Sequence, residues 1–313
     1  MSELEKLNTV LVLGGAGFIG SSLIKYLLSE TDYKIISFGR GNLSEEHDRV
    51  KHIQSDINLH KLNAIKEHVE GKLLSIINCS GSGSVLKSHQ NPNVDFYQTA
   101  CSTSDSLEFV RVNYPDAKFI QISSAAVYGE CNEIPQRTST SIKPVSTYGF
   151  NNSISEMLVE NYSNIYGVSC TILRVFSVYG NGLKKQIVWD AFNKLSRGEG
   201  DFFGTGDEIR DFIHINDLSK IVSWSISNDT MKTLKVINCG SGVPTKISQL
   251  IEMIRHVMGS ECEIRFTGNM KTGDPKGFLA KVEYGKEIQF IPLEIGLRSY
   301  YAWFLEELNG KKK

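Results

Sequence analysis

Runs of β-branched and leucine residues, bounded by glycine or polar positions, recur along the first 180 positions and are separated by stretches whose apolar residues return at helical spacing. Residues 10–13, 33–38, 50–54, 73–78 and 118–122 read as strands, and 171–176 is a further apolar run. The first is apolar at every position, as in a strand covered on both faces. Behind it Phe18, Ile19, Leu23, Leu27 and Leu28 repeat with the helical period. Two long helices are predicted, a polar one over about 93–112 and another over about 146–166. Alternation of this kind predicts an α/β fold with a parallel, doubly wound sheet. Beyond Gly180 the pattern becomes irregular and richer in Gly and Lys. The chain is therefore divided into a domain at 1–176 and a smaller α/β domain at 177–313. Segments 212–215 and 235–238, within about 212–240, are expected to return to the first domain.

The junction between the first strand and the first helix is Gly14-Gly15-Ala16-Gly17-Phe18-Ile19-Gly20. Gly14 permits a tight turn, Gly17 lets backbone approach a pyrophosphate, and Gly20 lets the helix lie close to the strand. The free N–H groups and dipole of the helix then face phosphate. Three spaced glycines also make ordinary turns, but a buried strand before and an amphipathic helix after supply the context that a dinucleotide site needs.

The second strand runs into Gly39-Arg40-Gly41, about where NAD enzymes place an acid for the ribose 2′-hydroxyl. A guanidinium there pairs with a 2′-phosphate, which tilts the expected cofactor from NAD towards NADP; an exposed loop arginine is the alternative. After the fourth strand Ser80, Gly81 and Ser82 are small enough for backbone to pass close to the cofactor's ribose and pyrophosphate, although such residues also simply turn the chain.

With 313 residues, 41% hydrophobic and 22% charged, the chain can bury one large core and a smaller one. A net charge of −1 provides no basic field for nucleic acid or an anionic membrane surface. Cys79, Cys101, Cys131, Cys170, Cys239 and Cys262 are dispersed without a Cys-x-x-Cys pair, as reduced thiols would be. The acidic start is unlike a signal peptide, and glycines break the one apolar run that approaches bilayer length. A cytoplasmic protein without membrane insertion and without a metal is expected.

Besides the glycine turn, the chain carries in order Ser123-Ser124-Ala125-Ala126-Val127-Tyr128-Gly129, Tyr148, Leu173-Arg174-Val175-Phe176, Arg210-Asp211-Phe212-Ile213-His214-Ile215-Asn216-Asp217 and Gly273-Asp274-Pro275. In sequence and spacing these resemble the extended short-chain dehydrogenase/reductase superfamily, in its NAD-dependent epimerase/dehydratase branch that modifies nucleotide sugars. The resemblance covers nearly the whole chain. It implies a Rossmann domain whose cofactor is held by Gly14, Gly17, Phe18, Ile19 and Gly20, with Asp56 and Ile57 at the adenine, and a nucleoside-diphosphate sugar as substrate. It implies that Ser124 and Tyr148 bracket the C4 oxygen of the sugar, that Arg210 grips the diphosphate, and that the two long helices pair with their mates in a homodimer. Precursors of cell-surface polysaccharides are a typical destination for the family's products.

Three positions depart from the pattern. The family's lysine, four residues after the tyrosine, is Asn152, which can still hydrogen-bond the nicotinamide ribose. Lys271 stands where a second arginine is common, and Ser177 where many epimerases have asparagine. A tyrosine with a pKa near 10 is ionised to about one part in a thousand at neutral pH, and the lost cation penalises a phenolate base more than a phenol acid. The expected activity is accordingly hydride transfer at C4 of the sugar, as a 4-keto reductase, a 4-dehydrogenase or a 4-epimerase, with 4-keto reduction favoured over 4-epimerisation, and a cofactor-binding scaffold without turnover is the alternative. Ala125-Ala126 stands where 4,6-dehydratases place Asp-Glu and cannot move a proton, which argues against dehydration. His214 reads as a core histidine. Asp190, Phe192, Phe202 and Phe203 are candidates for a nucleotide pocket, with core packing as the alternative for the aromatics.

Overall fold

The apolar run at the start folds as strand β1 (Asn8–Leu13), with Val10 to Leu13 fully buried. Beside it lie β2 (Lys34–Gly39), β3 (Val50–Gln54), β4 (Lys72–Asn78), β5 (Lys118–Ser124) and β6 (Cys170–Val175). The computed structural model describes residues 8–43, 46–131, 133–227, 234–268, 277–284 and 288–310. Helix Phe18–Glu30 returns from β1 and ends where Thr31 Oγ1 bonds the Leu27 carbonyl at 2.6 Å.

Three shorter strands follow, β7 (Ser177–Tyr179), β8 (Asp201–Phe202) and β9 (Ile209–His214), then β10 (Lys235–Cys239), β11 (Pro244–Lys246) and β12 (Arg265–Phe266). The large sheet has seven strands in the order β10-β6-β5-β4-β1-β2-β3, and every pairing from β3 to β6 is parallel. The order reverses between β1 and β4. In open α/β sheets a ligand binds outside the carboxyl ends of the strands at that point, and here those ends lead into Gly14 and into Cys79-Ser80-Gly81. Segment 235–238 belongs to the edge of this sheet. Segment 212–215 begins within β9, which joins β7 and β11 in a separate three-stranded sheet.

The chain divides into two compact units. One comprises the described residues of Met1–Gly129, Ser141–Val175 and Ser219–Ile237; the other those of Glu130–Thr140, Phe176–Leu218 and Asn238–Lys313. The first has its core on the sheet, around Leu11, Leu13, Ile36, Phe38, Ile76 and Phe119. An ion pair lies behind β5 and β6: Arg174 contacts Glu156 at 2.8 Å, both about 95% buried, and donates to the Tyr128 hydroxyl at 2.9 Å. The second unit is built around aromatic rings on helices Gln186–Ser196 and Leu293–Gly310, where Phe192 stacks on Tyr300 and Tyr301.

The helix expected over 93–112 is interrupted. It begins at Pro92–Phe96, passes through a π-helical turn at Tyr97–Cys101 and resumes as Ser102–Asn113. The second long helix is continuous from Thr147 to Tyr166, started by Ser146 Oγ on the Gly149 N–H at 3.1 Å and stopped by Gly167 in the left-handed region. Among the described residues no helix is long and apolar enough to cross a membrane.

Candidate active site

In the first unit the glycine turn is as tight as its sequence suggests. Gly14 has φ +74°, and a Cβ there would stand 2.9 Å from the Cys79 carbonyl carbon. A Cβ on Gly20 would collide with the Gly14 carbonyl oxygen. Helix Phe18–Glu30 starts with no side-chain cap and no acid in its first turn, so its leading N–H groups remain available to an anion. The turn borders a cavity of about 510 Å³. Of the predicted cofactor residues, Gly14, Gly17, Arg40, Asp56, Ile57, Ser80 and Gly81 line it. Phe18, Ile19 and Gly20 lie in the first helical turn, and Ser82 lies outside the lining. A cradle that a single Cβ would fill, beside an uncapped helix terminus, fits a dinucleotide.

Sequence reasoning did not foresee the far wall of this cavity. Tyr97, Gln98 and Cys101 come from the π-helical turn, and Ser102 and Asp105 from the helix after it. Nothing in a polar stretch announces an extra residue in a helical turn. Arg40 is also more engaged than a loop arginine would be. Its Nε lies 3.8 Å from Asp56 Oδ1. With the Gln98 amide oriented to satisfy its neighbours, both terminal nitrogens of Arg40 donate to the amide oxygen, at 3.1 and 3.3 Å. The Arg40 carbonyl accepts from Gln54 at 2.9 Å, which fixes the loop.

Ser124 ends β5, Tyr148 is the second residue of helix Thr147–Tyr166, and Asn152 follows one turn later. The structure brings all three together. Ser124 Oγ accepts from the Ala126 N–H at 3.2 Å, and Asn152 Nδ2 donates to the Tyr148 carbonyl at 2.8 Å. Burial pushes the Tyr148 hydroxyl above the ordinary tyrosine range; the polar side chains of Ser124 and Asn152 pull it down, and the charge of Asp95 pushes it further up. The net displacement is upward, so the phenol holds its proton. Among the described residues no lysine acts on that hydroxyl.

The second unit has its own cavity of about 450 Å³, with Ser177 and Arg210 in its wall. The Arg210 guanidinium lies 5.6 Å over the Phe278 ring and donates to the Ile209 carbonyl at 2.9 Å. Its neighbour Asp211 turns inward and accepts from the N–H groups of Ser241, Gly242 and Ala280 at 2.6 to 3.0 Å. Lys271, together with 273–275, lies outside the described residues. Asp190 and the half-exposed Phe203 line the cavity, whereas Phe192 belongs to the core and Phe202, also at the wall, is 3% exposed. His214 is buried with its ring 5.3 Å from Tyr179. Among the described residues no group of three or more potential ligands could hold a metal ion.

Comparison with known proteins agrees with this geometry. The UDP-glucose 4-epimerase of Corynebacterium glutamicum is 26% identical over 97% of each chain. Among solved structures, the UDP-N-acetylglucosamine 4-epimerase of Methanobrevibacter ruminantium, in complex with UDP-N-acetylmuramic acid, superposes with a TM-score of 0.85 at 25% identity, over 96% of this chain and 99% of that one. The UDP-glucuronic acid 4-epimerase of Bacillus cereus, with UDP-glucuronic acid and NAD, shares the fold with a TM-score of 0.85 at 23% identity and the same coverage. Residues 10–240, from β1 to just beyond β10, match the NAD dependent epimerase/dehydratase family as a whole, and the chain belongs to that family.

Proposed function

We propose that this protein carries out hydride chemistry at C4 of a nucleoside-diphosphate sugar with NAD, and that the reductive half of the cycle is the faster one. The observation that carries the reading is the setting of Tyr148 between Ser124 and a neutral Asn152, where burial raises its hydroxyl above the ordinary tyrosine range. When bound, the dinucleotide supplies or accepts the hydride. Tyr148 donates its proton to the C4 oxygen as carbon is reduced and would take it back in the oxidative direction. Ser124 orients that oxygen, and Asn152 holds the tyrosine's helical turn while offering its amide to the nicotinamide ribose. Arg210 is assigned to the diphosphate, where a planar fork matches phosphate oxygens, and Ser177 to the sugar nucleotide beside it.

The relatives named above are 4-epimerases of UDP-sugars, and a UDP-sugar is the first substrate to test. Epimerisation runs oxidation and reduction on one bound cofactor, so it also lies within this reading. Arg40 alone tilted the cofactor towards NADP. With the Asp56 carboxylate beside it, the guanidinium is partly neutralised and an acceptor stands ready for a ribose hydroxyl, which favours NAD. Helix Thr147–Tyr166 exposes Phe150, Met157 and Ile165 at spacings that share one face, and a homodimer through that face is proposed, in the cytoplasm.

The test is to purify the protein, identify the dinucleotide it holds, and follow hydride exchange in both directions with UDP-4-ketosugars and UDP-sugars. Faster reduction than oxidation at neutral pH is expected. A bound dinucleotide that exchanges hydride with neither class would overturn the reading in favour of a binding protein without turnover.

A further inference from the structure

Helix Pro92–Phe96 packs against the helix that carries Tyr148, and its one acidic residue points inward. Asp95 is 2% exposed. Its Oδ2 accepts from the Asn151 amide at 2.6 Å, while Oδ1 is sealed from solvent and meets no hydrogen-bond donor among the described residues. A buried acceptor left in that state costs roughly 1–3 kcal/mol, and packing alone gives no reason to keep it. Asn151 directly precedes Asn152, where the resembled family has its lysine. Around one tyrosine, therefore, a neutral amide stands at the lysine's position and a buried carboxylate packs behind it.

We infer that Asp95 is a positioning residue for the proton step: its carboxylate, anchored on Asn151, keeps the Tyr148 hydroxyl in its protonated, donating form. The inference rests on the reading of Tyr148 as the group that moves the C4 proton. A phenolate forming near a carboxylate is disfavoured by like-charge repulsion, and the Asp95 charge acts on Tyr148 in that direction.

Among the described residues no second charge acts on that hydroxyl, and Lys143, whose N–H bonds the Val127 carbonyl in the turn beside the helix, is exposed. On the same helix Glu156 is held by Arg174 and Ser123. On helix Ser102–Asn113 Glu108 and Arg111 pair with each other, and Asp105 accepts from the Leu59 N–H. Lys118 of β5 donates to the Ser225 carbonyl, and Lys87 and His89 on helix Val85–Gln90 are exposed. Burial raises the Cys101 thiol of the π-helical turn and takes the Cys170 thiol of β6 to about 12, so both stay neutral. Tyr97 on that turn is exposed.

The experiment is a pH titration of the full chain carrying 13C-labelled tyrosine, followed by NMR, with Tyr148→Phe to assign the resonance. Tyr148 should remain protonated past pH 10 in the wild type. In Asp95→Asn its midpoint should fall by about one pH unit or more, and Asp95→Glu should restore most of the difference. Asp95→Ser serves the same purpose should the amide variant not fold. An unchanged Tyr148 midpoint in the neutral variant would overturn the inference. Hydride transfer is scored separately: a wild-type protein that reduces no nucleotide 4-ketosugar would defeat the proposed function, while the NMR midpoint would still report on Asp95.

Discussion

Restoring the absent cation is the sharpest perturbation of the proposed proton step. Asn152 is 5% exposed and one helical turn from Tyr148, so Asn152→Lys would place an ammonium group in a region largely closed to water. At about 6 Å and an effective dielectric near 20, a unit charge stabilises the phenolate by roughly 3 kcal/mol, or about two pKa units. At pH 7.5 the phenolate fraction would then rise about a hundredfold. A less basic phenolate is also a weaker proton acceptor, which takes back part of that gain and leaves an increase of about tenfold in the oxidative rate. The nearby Asp95 carboxylate favours the charged form of the new side chain. The assay is single-turnover reduction of bound NAD by a UDP-sugar, monitored at the nicotinamide absorbance. Asn152→Gln serves as the neutral control, and thermal unfolding checks that both variants are folded. An oxidative rate that is the same in the folded lysine variant and in the control would refute the reasoning.

The raised pKa of Tyr148 has a direct pH consequence. Below that pKa the phenolate fraction grows tenfold per pH unit, so oxidation should climb without a plateau up to pH 10 while reduction stays level; a plateau near neutrality in the oxidative profile would contradict it. Tyr148→Phe should abolish hydride transfer in both directions and leave dinucleotide affinity, measured by calorimetry, unchanged. Glu156→Ala strands a buried guanidinium and should lower stability by about 3–5 kcal/mol in urea denaturation. Arg40→Ala removes an exposed ion pair with Asp56 and the contacts to Gln98 and should change NAD affinity by less than about fivefold in the same calorimetric assay, with a larger loss pointing to direct cofactor contact.

Much of the first unit was legible because its signals are local. A short β-branched and leucine run that is apolar at every position and ends in glycine reads as a strand covered on both faces, and Val10 to Leu13 are fully buried. Gly14 and Gly20 occupy places where a Cβ cannot fit, a requirement that leaves its mark on residue type. The grouping of Ser124, Tyr148 and Asn152 was implied by the resemblance to the epimerase/dehydratase family, and the structure sets them at the end of a strand and the start of a helix. The departure of Asn152 from lysine was visible as a letter, and its direct consequence, a charge missing beside a phenol, needed no coordinates.

What only the tertiary structure decided concerns groups that meet from distant parts of the chain. Asp95 and Asn151 are 56 positions apart and share no motif, yet their contact places a carboxylate against the tyrosine's helix. Arg40 looked like a phosphate ligand as a letter; Asp56 and Gln98, from the loop after β3 and from a π-helical turn, changed its surroundings. Segment 130–140 joins the second unit, where Gln136 bonds to the backbone at Leu279, because long-range backbone pairing selected that position. Periodicity and residue chemistry are properties of neighbours along the chain, and they wrote the strands and the glycine turn into the sequence. The charge around Tyr148 is set by which segments approach it in space, and that was decided only when the sheet and helices were assembled.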